Sequence, residues 1–224
     1  MPDVATLSNL ATALGTLVLA VATFASIRSA NRSARVAERA LLQTLKPVLV
    51  PSRVTDPAEK LMWQDRHWAK LHGGRAVAEI AEDNIYLAIS LRNVGSGIGV
   101  IQGWYLNAPY AVATPHHREQ DQFRVQGRDL YIASGDTSFW QAALRDKEDE
   151  LYQPVRDAIE AREPFAVELL YSDHEGGQLA ISWVSVLPMS HPDPETGELV
   201  EEWLPTVSRH WSLDGSDPRH TGSD

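Results

Sequence analysis

The sequence NIYLAISLRNVGSGIGVIQGWYL, residues 84–106, decides the fold class. Large aliphatic side chains stand at every second position from Ile85 to Leu91. Such alternation is typical of a strand in an antiparallel sheet, with one face buried and the other exposed. We therefore expect a strand over residues 84–92 and a second strand over residues 100–106. The exposed face of the first strand should carry Asn84, Tyr86, Ala88, Ser90 and Arg92.

Three glycines, at positions 95, 97 and 99, separate these two strands. A dinucleotide-binding fingerprint requires its third glycine one position later, where Val100 stands, and a helix after it. A strand follows here instead. We therefore interpret the glycines as a turn or bulge between paired strands. Gly95 or Gly97 is expected to adopt a backbone conformation that side chains disfavour.

Further short strands are predicted on both sides of this stretch. Residues 46–51, bounded by prolines, precede it as an edge or first strand. Candidate strands follow at residues 130–133, 139–144 and 206–211, and a hairpin pairs residues 165–171 with 179–186. Because the strands are short and separated by turns, the sequence favours an antiparallel β-sandwich over a parallel βαβ fold.

One helix is predicted for residues 146–162. Leu151, Val155 and Ile159 recur there at four-residue spacing, which is the period of a helix face. Pro154 lies inside this stretch, so the helix either kinks or starts at that position.

A second helix is predicted for residues 56–72. Asp56 and Pro57 supply an N-cap and a first-turn proline, and two glycines follow His72. The stretch is rich in rings, which leaves two interpretations open. The side chains either pack on the sheet or line a ligand pocket; they are Met62, Trp63, His67 and His72.

The N-terminal part of the chain is of a different kind. Residues 7–27, which run from Leu7 to Ile27, read LSNLATALGTLVLAVATFASI and contain no charged side chain. About 20 apolar residues suffice for a helix to cross a bilayer. A buried core helix would show a polar stripe, and a signal peptide would begin with basic residues. We therefore expect a membrane anchor that contacts lipid through this segment.

Charge predicts the orientation of the anchor. Four arginines and Lys46 follow the segment within 20 residues, opposed only by Glu38. Basic residues beside a span stay on the cytoplasmic side. The N-terminus is therefore expected outside and the C-terminal domain in the cytoplasm. Helical spacing continues through the basic juxtamembrane residues 28–45, and Pro47 should end the helix.

Small side chains recur along the anchor. Ser8, Thr12, Thr16 and Ala20 stand four residues apart, a spacing that lets two helices approach closely in lipid. This pattern predicts a protein partner or a homo-oligomer formed through the membrane helix. The alternative interpretation is that small residues are simply common in single spans.

Composition excludes several classes of function. The chain has no cysteine, so disulfides, thiolate zinc sites and cysteine nucleophiles are absent. Residues 1–46 carry five basic and two acidic side chains, and with a formal net charge of −10 for the 224 residues, the remainder carries −13. An acidic domain lacks the clustered cations that neutralise phosphates, so no nucleic-acid partner is expected.

Two clusters resemble metal ligands, His116-His117 and Asp173-His174-Glu175. A metal site needs three or four converging donors, and neighbouring residues on a strand point to opposite faces. Whether His116, His117 or His174 binds anything is left open, and no metal or cofactor is expected. The sequence also lacks the motifs of serine hydrolases, P-loop proteins and zinc proteases, so no catalytic residue is assigned.

These features give a plan of four segments. Residues 1–27 form the anchor, 28–45 a basic juxtamembrane helix, 46–212 a β-sandwich and 213–224 a disordered tail. The motif LRNVGSGIGVI at 91–101, with the later Tyr171-Ser-Asp and Gly-Gly hairpin, resembles a class of bacterial single-span proteins of unknown function. That resemblance implies an immunoglobulin-like sandwich behind a single anchor in the inner membrane of a bacterial cell, and it implies no catalytic residues. Together with the strand and helix patterns, it predicts a mainly β, antiparallel fold with one or two inserted helices.

The plan favours a membrane-tethered binding or scaffold protein without enzymatic activity. Two other classes stay open. The chain could be an accessory subunit of a larger membrane complex, or an enzyme whose site is assembled from scattered polar residues.

Overall fold

The computed structural model describes residues 3–110, 116–192 and 197–214. It divides into two compact units, residues 1–44 and 45–224. The first unit is a helix, and the second is built mainly from antiparallel strands.

The first unit is a single helix, α1 (Val4–Thr44), of 41 residues. It joins the predicted anchor and the predicted juxtamembrane helix without a break, and it ends before Pro47 as expected. Its side chains from Thr12 to Glu38 are all exposed. Among the described helices, it is the one that is long and apolar enough to cross a membrane.

The second unit contains eleven strands and one α-helix among its described residues. The helix is α2 (Tyr152–Glu160). The strands are β1 (Leu49–Pro51), β2 (Glu59–Met62), β3 (Trp68–Leu71), β4 (Ala76–Ala81), β5 (Asn84–Asn93), β6 (Gly99–Asn107), β7 (Arg124–Ile132), β8 (Thr137–Leu144), β9 (Phe165–Ser172), β10 (Ala180–Pro192) and β11 (Leu199–Ser212).

Nine of the strands form one sheet. Along it, β5, β4, β11, β10, β9, β6 and β7 are successive neighbours, and every pairing is antiparallel. Strand β8 pairs with one edge of β5 along its length, while β4 and β1 share the other edge. The junction of β4 with β11 is narrow, since it consists of the pair Trp203 and Ala76.

The main core lies between the two ends of this sheet. Alternate aliphatic residues of β5 pack there against aromatic and aliphatic side chains of β6, β8, β9 and β10. The amphipathic helix α2 adds four buried residues to the same cluster, namely Tyr152, Val155, Ala158 and Ile159. This helix lies within the predicted residues 146–162 but is shorter, and Pro154 occupies its first turn, where a missing N–H costs nothing.

The helix predicted for residues 56–72 is wrong. Those residues form the two-stranded hairpin β2–β3, in which Leu61 and Leu71 are buried and the alternate positions are exposed. Asp56 does not cap a helix, because its carboxylate accepts a hydrogen bond from the Arg53 N–H at 2.7 Å. Burial of the leucines and Trp63 on the outer face of β5 outweighs the local capping signal.

The hairpin also overturns the prediction of an exposed face on β5. Tyr86, Ala88 and Ser90 belong to that face and are at most 4% exposed. Strand β9 is likewise buried along its whole length. Its outer face lies with Trp183 and Trp211 in a second apolar cluster, which Phe123 completes from outside the sheet. We call β2–β3 the hairpin cover and residues 116–123 the loop cover.

The glycine-rich segment does not join paired strands, because β5 and β6 pair with other strands. Neither Gly95 nor Gly97 has a positive φ. Both positions need glycine because a side chain would not fit. A Cβ at Gly97 would overlap the backbone of Leu45, and one at Gly95 would overlap the Lys46 carbonyl oxygen. The prediction of a strained turn is therefore wrong, and close approach of two backbones replaces it.

The predicted hairpin of residues 165–171 and 179–186 is confirmed as β9 and β10. Strand β10 continues to Pro192 and β11 begins at Leu199, so both are longer than expected. Residues 193–196, between these two strands, lie outside the described residues, as do residues 215–224 of the predicted tail.

Candidate functional site

The two ends of the sheet, β7 and β8, approach each other but form no strand pairing in the described structure. A cleft of about 410 Å³ lies beside this junction, and we call it the seam cleft. Its lining residues come from the end of the hairpin cover and from β6, β7 and β8. They are Met62, Trp63, Gln64, Trp104, Val125, Gln126, Gly127, Arg128, Gln141, Ala142, Ala143 and Arg145.

A bulge in β7 shapes the cleft. Strand β6 pairs through Gly99–Ile101 with residues 130–132 and through Gly103 and Trp104 with residues 124 and 125. One residue of β6, Gln102, therefore stands opposite four residues of β7, 126–129. Bulges bend a strand and redirect its side chains. Here the bulge leaves Val125 85% exposed at the rim of the cleft.

The cleft contains an aromatic side chain, Trp104, that two neighbouring side chains hold in place. Trp104 is 8% exposed and meets the ring of Trp140 edge-on at 5.7 Å between centroids. The guanidinium of Arg124 lies 5.4 Å from the centroid of Trp104. Both terminal nitrogens of Arg124 donate to the carboxylate of Asp149.

The ion pair between Arg124 and Asp149 favours the charged form of both side chains. Hydrogen bonding to Arg124 holds the pKa of Asp149 below its usual range, and the same contact raises the pKa of Arg124. A bidentate arginine–carboxylate pair restrains the cation in one position. The face of Trp104 is therefore a rigid part of the cleft.

Two glutamines leave acceptors unused beside the cleft. Gln126 donates from Nε2 to the backbone oxygen of Gln141 at 3.3 Å, which links β7 to β8. The Oε1 atoms of Gln126 and Gln141 are both buried and have no hydrogen-bond partner in the described structure. A buried acceptor without a donor costs about 1–3 kcal/mol, so an N–H donor would relieve one such cost at each oxygen that it reached.

The hairpin cover forms the opposite wall. The indole N–H of Trp63 donates to the carbonyl oxygen of Ala142 at 2.9 Å, and its ring meets Tyr86 edge-on. The hydroxyl of Tyr86 donates to Asp65 at 2.7 Å, and Arg145 donates to the same carboxylate at 2.9 Å. Burial alone would raise the pKa of Asp65, but these hydrogen bonds lower it below its ordinary value. Burial, followed by the bond to Asp65, raises the pKa of Tyr86.

The described lining is made of aromatic, aliphatic, thioether, amide and guanidinium side chains. The aromatic and aliphatic groups can stack a flat or apolar group. The amides can accept N–H hydrogen bonds, and Arg128 can attract an anion.

A second, more polar cleft of about 300 Å³ lies where β4 and β11 meet. Apart from Lys70, the arginine and acidic side chains that line it are in ion pairs. Glu202 accepts hydrogen bonds from Arg75 at 2.5 Å and from His191 at 2.9 Å, and Arg162 stacks over Trp203 at 4.4 Å. Because these groups satisfy one another, the seam cleft offers the larger unsatisfied surface.

The residues that the sequence left open as ligands are not brought together. His174 is exposed in the turn after β9, where the buried carboxylate of Asp173 accepts hydrogen bonds from the Glu175 and Gly177 N–H groups. His117 bonds through Nδ1 to the Arg118 carbonyl at 3.0 Å. Within the described residues, no group of three or more histidine or acidic side chains is arranged to hold a metal.

Sequence reasoning missed the seam cleft. One signal was present: Gly127 lies inside an otherwise strand-like stretch, and an isolated glycine in a strand indicates a bulge. The two glutamines and Trp104 carried no motif, and their proximity results from the curvature of the sheet.

Comparisons of the chain with protein-family models, with curated proteins and with solved structures find no match.

Proposed function

We propose that this chain is a membrane-tethered, non-enzymatic binding protein, and that the seam cleft takes up an extended peptide segment of a partner. The helix α1 would supply the tether and the β unit the binding surface. The observation that carries the proposal is the unpaired junction of β7 and β8, with two glutamine acceptors beside it.

An extended peptide suits this junction for three reasons. Peptides often bind by adding a strand to an open sheet edge, where main-chain hydrogen bonds give affinity. Peptide N–H groups are the donors that Gln126 Oε1 and Gln141 Oε1 lack. The exposed Arg128 and the wall of Trp63 and Trp104 favour a peptide with an acidic and an apolar side chain.

The experiment selects linear peptides from a display library on the full-length protein in lipid nanodiscs and measures their affinity. The test variant is Gly127→Trp, because a Cβ at Gly127 meets open space and the indole would fill the cleft. The matched control is Tyr131→Trp, since Tyr131 is exposed on the same strand outside the cleft lining.

We expect Gly127→Trp to weaken peptide binding at least tenfold and Tyr131→Trp to leave it unchanged. Equal binding by both variants would place the peptide elsewhere. Failure to select any peptide would refute the proposal for this cleft.

We also infer that α1 spans the inner membrane of a bacterial cell with the β unit in the cytoplasm. The arginines that follow residue 27 support this orientation through the positive-inside rule. Fusions of a phosphatase active only in the periplasm and of a fluorescent protein to Asp224 test it. Phosphatase activity without fluorescence would reverse the topology.

Association through α1 is part of the same proposal, with a second copy or another membrane protein as partner. The support is the small-residue spacing at positions 8, 12, 16 and 20, together with the exposure of the helix from Thr12 to Glu38. A role as accessory subunit of a membrane complex would use the same surface. Replacing Thr12 and Thr16 by leucine should reduce crosslinking between helices; unchanged crosslinking would contradict this part.

We infer finally that the unit is immunoglobulin-like in architecture. The antiparallel pairing and the core between the two ends of the sheet support this classification.

A further inference from the structure

The hairpin cover has an outward face made of two cross-strand pairs. Lys60 stands opposite Lys70, and Met62 stands opposite Trp68. All four are exposed, with Met62 at 49% and Trp68 at 51%. We call these four residues the lysine face. The inward face of the same hairpin carries the buried Leu61 and Leu71.

The charges on this face are unusual for the chain. The sequence contains four lysines, and two of them stand directly opposite each other here. Like charges at opposite positions of an antiparallel pair repel and destabilise the pairing. None of the four positions is acidic, although the chain after residue 46 carries a net charge of −13. An anionic surface placed against the face would attract both amines and so offset this repulsion.

The ring of Trp68 lies beside a lysine of this face. Lys60 Nζ lies 4.8 Å from the centroid of the Trp68 ring. A shallow depression of about 350 Å³ adjoins them, and its lining includes Lys70 and Glu59. Tryptophan and lysine together are typical of the region where a bilayer meets water: the ring sits at headgroup level and the amine reaches the phosphates.

We propose that the lysine face contacts the anionic headgroups of a bilayer, with both amines on lipid phosphates and with Trp68 and Met62 in the interface. The proposal rests on the proposed function in one respect, that α1 inserts into the membrane. Because α1 and the β unit belong to one chain, insertion of α1 would hold this unit near the bilayer at high effective concentration. The mixture of exposed apolar and cationic groups favours a lipid surface over an acidic protein.

Tryptophan fluorescence makes the contact measurable in the full-length chain. Trp68 is half-exposed, whereas the other six tryptophans are each at most 8% exposed. The protein is reconstituted in nanodiscs whose phosphatidylcholine carries brominated acyl chains, with 30% phosphatidylserine or with none. Bromine quenches an indole only on close approach, and the Trp68→Phe variant gives the share of the emission that Trp68 contributes.

We expect at least half of the Trp68 emission to be quenched in the anionic discs and markedly less in the zwitterionic ones. The variant Lys60→Gln/Lys70→Gln should lose most of this quenching. The matched control is Lys147→Gln/Arg156→Gln, which removes the same charge from two residues that pair with Asp83 instead. The control should behave as the unaltered protein.

Two outcomes would overturn the proposal. The first is Trp68 emission that is unquenched in anionic discs and as open to aqueous acrylamide as in detergent. The second is protection of Trp68 only when another protein is added, which would assign the face to a protein partner. A chain that fails to enter nanodiscs at all would contradict the proposed tether, so the two failures are distinguishable.

Discussion

The hairpin cover and the loop cover bury opposite parts of the same sheet by different means. The hairpin cover places leucine and aromatic side chains on β5, and its charged groups, such as Asp65, lie at the margin. The loop cover places an ion pair against β9. Arg118 donates to Glu168, whose side chain is 2% exposed, and the guanidinium stacks on Tyr105 at 3.5 Å.

The two covers therefore differ in what they require: the hairpin cover needs buried apolar area, whereas the loop cover needs donors in fixed positions. The stabilisation that apolar contacts give is roughly proportional to the buried area, so it tolerates small shifts of the side chains. A buried carboxylate must be matched by donors in fixed positions, and Glu168 has them in Arg118 and in Asn107 Nδ2 at 3.0 Å. Arg118 also donates to Asn107 Oδ1, which closes a three-residue network. The loop cover should therefore be the more easily broken by a single substitution.

The largest effect is expected for Arg118→Met. It leaves the Glu168 carboxylate buried with one amide donor, and breaking a buried ion pair costs about 3–5 kcal/mol. The free energy of unfolding, measured by urea titration of the detergent-solubilised chain, should fall by that amount. The double variant Arg118→Met/Glu168→Leu should recover most of the loss. No recovery would show that the arginine acts through packing on Tyr105.

Leu61→Ala tests the hairpin cover and should cost somewhat less, about 3 kcal/mol. Leu61 is 1% exposed, and its truncation leaves a cavity over β5. Hydrogen exchange should show the loss concentrated in residues 59–71. Loss of protection in β9 as well would mean that the two covers are not independent.

A smaller effect is expected at acid pH through Asp65. Its pKa is lowered in the folded state, so the ionised carboxylate stabilises the fold. This stabilisation is complete above the unfolded pKa of about 4 and is lost as the pH falls through the lower folded pKa. Stability should therefore decline below about pH 4. Asp65→Asn should remove about 1 kcal/mol at pH 7 and flatten this decline. If the variant loses stability at acid pH as the unaltered protein does, the decline is due to other carboxylates.

The smallest effect is expected for Met62→Ala. Met62 is half-exposed on the outward face of the hairpin, and such substitutions change stability by about 0.5 kcal/mol or less. A melting temperature close to that of the unaltered protein is expected. A larger loss would mean that the outward face contributes to folding.

Sequence periodicity predicted the helices and strands better than it predicted which of their faces are covered. The long apolar run gave α1, and the alternation at residues 84–92 and 165–171 gave β5 and β9. Alternation also predicted a wet outer face on β5, which is wrong because the hairpin cover lies on it. Which segment folds back over which strand depends on contacts between residues far apart in sequence, and no local period records them.

The error at residues 56–72 has a related cause. Asp56-Pro57 is a genuine helix-start signal, but Leu61 and Leu71 gain more by burial on Tyr86 and Ala88 than a short solvated helix would provide. The seam cleft was missed for the same reason, apart from the bulge that Gly127 indicates. Gln126 and Gln141 meet because the sheet curves until β7 faces β8, and this curvature is a property of the assembled sheet.

The entry of the chain into the β unit determines how mechanical load would travel. Residues 45–48 lie against the glycine-rich segment, with the Lys46 and Val48 carbonyls bonded to the N–H groups of Ser96 and Val94. The next residue, Leu49, is bonded through its N–H to the Tyr171 hydroxyl and through its carbonyl to Ser182. Tension applied at residue 45 thus meets hydrogen bonds to the core within four residues, and β5, β9 and β10 would bear it directly.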